Sequence, residues 1–166
     1  MTDRTATPRT GSCRAVVLAG ADATPYFRCG AGRPVVFLCQ DPDAPLWTAL
    51  LEAVAGQFRV IAPEATAGRP DFERWLRQFL DGLGLGSVAL VVDQGLAAPA
   101  IGFAILEPDR VDRMGVISPT GPVFPGSIVD GGHPILFLRD DRPPAEIVGA
   151  VLRFLDGGRT PVEKAG

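Results

Sequence analysis

The chain has 166 residues, enough for one domain with a sizeable core. Hydrophobic residues make up 46% and charged residues 21%, and the formal net charge is −3. That balance is globular and carries no basic footprint for nucleic acid. No apolar run approaches the roughly 20 residues that cross a bilayer, so no membrane partner is expected. The opening stretch, MTDRTATPRTGS, is polar and lacks the apolar segment of a secretory signal. Three cysteines, Cys13, Cys29 and Cys39, form an odd set without C-x-x-C spacing. They point to a reducing, cytoplasmic setting rather than a disulfide framework.

In chain order, residues 1–12 are expected to form a disordered tail. Residues 14–19 (RAVVLA) and 25–29 (PYFRC) predict two short strands joined as a hairpin. Residues 35–39 (VVFLC) are a continuous apolar run, the mark of a strand buried on both faces. After the loop QDPDAP, Leu46, Trp47, Leu50, Leu51 and Val54 keep helical spacing up to Gly56. Residues 58–62 (FRVIA) predict the next strand. Phe72, Trp75, Leu76, Phe79, Leu80 and Leu83 form an amphipathic stripe, with Pro70 suited to a first turn and Gly84 to a C-terminal cap.

Residues 88–92 (VALVV) are the central apolar run, and they stop abruptly at Asp93-Gln94-Gly95. A helix of small residues is expected over 97–106, with Pro99 in its first turn. Residues 113–118 (RMGVIS) predict another strand, and residues 119–134, rich in Pro and Gly, predict a loop. Residues 135–138 are a short apolar run. Residues 145–155 carry a last amphipathic helix, followed by a polar tail over 158–166. Alternating strands and helices imply a doubly wound, mostly parallel sheet, with the hairpin supplying antiparallel strands at one edge. In such sheets ligands sit beyond the carboxyl ends of the strands. The junction at residues 90–102 (LVVDQGLAAPAIG) is therefore the candidate site.

The wording VVFLCQDPDAPLWTALLEAVAGQFRVIAPE resembles the haloalkane dehalogenase and epoxide hydrolase branch of the α/β-hydrolases. So do LDGLGLGSVALVV, the helix ending at EPDRVDR and the strand MGVISP. The resemblance runs from Cys13 to about Pro125 and resumes in the last helix. It implies a truncated α/β-hydrolase-like fold over residues 13–157: a mostly parallel sheet of about seven strands, helices on both faces and no cap domain.

The same resemblance marks where the chemistry departs. The family's oxyanion His-Gly is Cys39-Gln40 here, and its halide-binding Asn is Asp41. The family turn Q-D-W-G-G becomes Asp93-Gln94-Gly95-Leu96-Ala97, so the nucleophilic Asp is Gln94 and the Trp halide donor is Gly95. A neutral amide cannot form the covalent ester that this mechanism requires. The cap segment is replaced by residues 119–132. Two alignments of residues 135–143 stand open: in one Leu136 occupies the catalytic His position, in the other this run is the seventh strand and the eighth is deleted.

Among individual side chains, His133 is the sole histidine and is either a general base or an exposed loop residue. Cys39 is either a reactive thiol or a small buried apolar side chain. Asp41 and Asp93 follow strands that the fold places side by side. Together they are either an acid and base pair or caps that close a helix or a loop. The site expected is Asp93 and Asp41 as catalytic carboxylates, with Cys39, Gln40, Gln94, Gly95 and Trp47 around the ligand. No metal and no cofactor is expected. Loss of the cap should uncover apolar surface around Trp47, Leu96 and Phe124, to be covered by an apolar small molecule or by a second copy in a homodimer. Two functions follow: a non-hydrolytic enzyme such as a small cyclase, lyase or isomerase, or a catalytically dead binding or scaffold protein.

Overall fold

The computed structural model describes residues 13–20, 22–41, 43–64, 69–118 and 134–157. The expected tails, Phe124, His133 and nearly all of the loop before Ile135 lie outside the described residues. The described residues form seven strands and four helices, in the order β1 Cys13–Ala19, β2 Asp22–Cys29, β3 Pro34–Leu38, α1 Pro45–Ala55, β4 Arg59–Pro63, α2 Phe72–Gly82, β5 Val88–Asp93, α3 Gln94–Leu106, β6 Val111–Ser118, β7 Ile135–Arg139 and α4 Pro144–Leu155. A short 3-10 turn, Pro108–Arg110, leads into β6. The sheet runs β1-β2-β4-β3-β5-β6-β7. The first two pairings are antiparallel and the rest parallel.

The apolar runs read from the sequence are buried on both faces because side chains alternate across each strand. Val36, Leu38, Leu90, Val92, Met114 and Val116 pack under α2 and α3. Val35, Phe37, Cys39, Val91 and Ile117 pack under α1 and α4. The α2 stripe fills the first of these layers, with Trp75 stacked on Phe79 and its indole N–H donating to Thr24 Oγ1 at 3.1 Å. That bond accounts for one of the few polar side chains in the core, since Thr24 is 1% exposed.

Helix ends follow from local chemistry. After α2, Gly84 takes a left-handed φ of 68°. The Gly84 N–H then donates to the Asp81 carbonyl and the Leu85 N–H to that of Leu80, which closes the helix in a Schellman arrangement. Gly30 has φ 77°, and a side chain there would run into the carbonyls of Phe58 and Ala55. At the end of α4, Arg113 Nη1 donates to the Phe154 carbonyl at 2.6 Å and Arg33 Nη2 to that of Leu155 at 2.7 Å. Two cations from the amino ends of β3 and β6 thus satisfy the last carbonyls of a helix, where positive charge is favoured.

Three expectations are corrected. Helix α3 begins at Gln94, directly after β5 and three residues ahead of the small-residue run, so Pro99 lies inside the helix rather than in its first turn. Pro70 stands outside α2, with Asp71 as the residue before its first turn. Trp47 and Leu96 are buried, at 7% and 3% exposure. The Trp47 ring meets Phe37 edge to face at 6.2 Å, so it fills the core beneath α1 instead of lying bare. The large apolar side chains that are exposed among the described residues are Val16, Ile105 and Leu106.

Pro99 removes the hydrogen bond that its position would donate to the Gly95 carbonyl, and its ring presses on that carbonyl. Pro99→Ala is expected to stabilise the protein by about 1–3 kcal/mol, read from chemical denaturation. A lower midpoint would show instead that the packing of α3 depends on the distortion.

Candidate functional site

The carboxyl ends of β3, β5 and β6 lie side by side, with Leu38 beside Val92 and Asp93 beside Ile117. This brings three chain segments together: Cys39 to Asp43 after β3, Asp93 to Gly95 after β5, and Ser118 at the end of β6. Burial of the strands on both faces fixes their register, because a one-residue slip would turn the core side chains to the other face.

Asp93 is the residue before the first turn of α3, with φ −82° and ψ 167°, yet its side chain makes no bond to that helix. It reaches across to the neighbouring loop, where the Gln40 N–H donates to its Oδ2 at 2.6 Å. A bond that short to an ionised acceptor is of the stronger kind. The other oxygen, Oδ1, is buried and has no hydrogen-bond partner among the described residues. Asp41 is exposed. Its Oδ1 accepts the Asp43 N–H at 3.2 Å, an Asx turn that shapes the start of α1.

Gln94, the first residue of α3, accepts at Oε1 a hydrogen bond from the Ser118 hydroxyl at 3.0 Å. Ser118 is 3% exposed. Sequence reasoning had no place for it, although it is the last residue of a buried strand adjacent to β5, which is the signal that would have found it. Gly95 matters for space. Its φ is not left-handed, but the Gln40 amide lies where a side chain at Gly95 would begin. Cys39 is buried with Trp47 and Phe37 in the α1 layer.

Of the expected site residues, Gln40, Asp93, Gln94 and Gly95 therefore meet at one junction, and Ser118 joins them. Asp41 folds back on its own loop, and Trp47 and Cys39 support the junction from within the core. No group of three or more potential metal ligands exists among the described residues. Nor is any helix among them long and apolar enough to cross a membrane.

The strand order, with its antiparallel pair at one edge and a helix springing straight from the central strand, decides the architecture. The fold is that of the α/β-hydrolases. Three solved structures carry the likeness. The epoxide hydrolase VrEH1 from Vigna radiata superimposes with a TM-score of 0.56 at 19% identity, covering 65% of this chain and 40% of that one. The carboxylesterase CesB (YbfK) from Bacillus subtilis gives 0.56 at 23% identity, with 64% and 42% covered. The haloalkane dehalogenase DatA from Agrobacterium tumefaciens C58 gives 0.53 at 26% identity, with 64% and 41% covered. This chain thus spans about two fifths of the length of those proteins. Neither a family model nor a curated protein matches the sequence.

Only residues 119–134 join β6 to β7, too few to fold as a helical cap domain of their own. Ile135–Arg139 is a strand, parallel to β6 and leading into α4. It is the edge strand of the sheet next to β6, and Leu136 lies in mid-strand.

The Asp93–Gln40 bond ties β5 to the loop after β3. Asp93→Ala should remove protection from exchange at the Gln40 amide proton and cost about 1–2 kcal/mol of stability. Amide exchange by NMR alongside a denaturation curve reads both. Unchanged protection at Gln40 would show that the bond does not hold the loop.

Proposed function

We propose that this chain is a non-hydrolytic α/β-hydrolase-fold protein, one that binds a ligand without transforming it. The observation that carries this reading is the state of Gln94. The residue at the nucleophile position is a neutral amide, and its oxygen accepts the Ser118 hydroxyl. An amide oxygen in that role neither attacks carbon nor activates water. The two carboxylates support the same reading, since each takes up a backbone N–H of the loop between β3 and α1. They behave as structural caps rather than as an acid and base pair.

The second reading, a small cyclase, lyase or isomerase, has one observation in its favour. Asp93 Oδ1 is a buried acceptor with no partner among the described residues, and unsatisfied buried groups gather at functional sites. The two readings part on the fate of the ligand: it is recovered unchanged from a binder and rearranged by an enzyme.

Purified protein is expected to show no turnover of haloalkanes, epoxides or activated esters beyond the buffer rate. Any turnover that disappears in Gln94→Ala would overturn the proposal.

The partner half of the proposal is a homodimer in a reducing compartment. The exposed apolar pair Ile105 and Leu106, at the end of α3, supports the pairing. Sedimentation at micromolar concentration should give twice the 17.5 kDa chain mass, and Leu106→Glu should return it to that mass. A single-chain species in the unaltered protein would refute the dimer.

A further inference from the structure

At the opposite edge of the sheet, the amino ends of β3, β5 and β6 and the end of α4 enclose a half-open cavity of about 260 Å³. Its floor is apolar: Val35, Phe58 and Leu155 are each less than 5% exposed, and Ala89 is 8% exposed. Three polar side chains stand at its walls: Arg33, Asp112 and Ser87. The first two are held in place. The Arg33 guanidinium lies over the Phe58 ring at 5.4 Å and spends one donor on the Leu155 carbonyl. The remaining donors of its five-donor fork are uncommitted among the described residues. Asp112 Oδ2 accepts from Arg113 Nε at 2.8 Å in an ion pair, and its Oδ1 has no such tie.

We infer that this cavity is a binding site for a free α-amino acid with an aliphatic side chain. The argument is one of complementary charge over an apolar floor. A guanidinium fork is the side chain best matched to a carboxylate. A carboxylate on the same wall repels a simple anion and attracts an ammonium. A ligand satisfying both is a zwitterion, neutral overall, with its apolar part on Val35, Ala89 and Leu155. Apolar pockets with a few fixed polar groups are the usual form of a small-molecule site. The cavity lies below the roughly 300–1,000 Å³ of drug-sized ligand sites, which suits a small ligand such as leucine. The site is independent of the junction at Gln94 and does not rest on its reading.

The test is titration of the full-length protein with L-leucine, followed by calorimetry and by amide chemical shifts at Ser87, Ala89 and Asp112. Hexanoate, isoamylamine and glycine serve as comparators that lack the ammonium, the carboxylate and the side chain in turn. Leucine should bind saturably and at least tenfold more tightly than any of the three. Asp112→Asn, at an exposed position, should weaken leucine at least tenfold and strengthen hexanoate. Ala89→Ile, which fills the floor, should abolish leucine binding while the far-ultraviolet circular dichroism stays unchanged. Hexanoate binding as tightly as leucine would overturn the zwitterion assignment. Absence of saturable binding by all four, or leucine binding indifferent to both variants, would overturn the site itself.

Discussion

Everything at the candidate site depends on one constraint: β3, β5 and β6 are buried on both faces while their backbones remain fully paired. Parallel strands meet that demand only when neighbours stand on either side and helices cover both faces. Val88–Asp93 satisfies it between β3 and β6, with α2 and α3 on one face and α1 and α4 on the other. Register follows, and with register the alignment of the three carboxyl ends. The polar residues Asp93, Gln94 and Ser118 meet because the apolar residues behind them have no alternative packing.

At that edge the polar side chains are taken up in hydrogen bonds between loops. An acidic or hydroxyl nucleophile in this place would need to stand exposed with a base within reach. Gln94 instead shares a hydrogen bond with Ser118, and Asp93 is committed to the Gln40 amide. Both bonds join elements distant in sequence, and both convert polar side chains at the mouth of the sheet into ties between loops. Such ties favour a rigid recognition surface over a reactive one, since reorganising them would expose buried polar atoms.

The two edges of the sheet also divide the electrostatics. At the amino edge Arg33 and Arg113 neutralise the final carbonyls of α4 and anchor the last described helix to β3 and β6. At the carboxyl edge the charged groups in the loops beside the start of α3 are the acids Asp41 and Asp93. A helix begins there with unsatisfied N–H groups, so negative charge is tolerated and positive charge is not.

The apolar runs of the central strands, the opening hairpin, the α2 stripe and the Gly84 cap are all written in the sequence. These features depend on neighbours within a few residues, and local sterics and hydrophobic period decide them. The sharp break at Asp93-Gln94-Gly95 after the central apolar run is legible there as well. Other features belong to the tertiary structure alone. The partner of Asp93 lies 53 residues away and that of Gln94 lies 24 residues away, so each is set by the register between strands. The same holds for the burial of Trp47 and Leu96, which the packing of α1 and α3 decides and composition does not. The early start of α3 at Gln94, through an unfavourable proline, follows from the strand delivering the chain straight into a helix that must cover the sheet. Local propensity opposed that start, and the burial of α3 against β5 and β6 outweighed it.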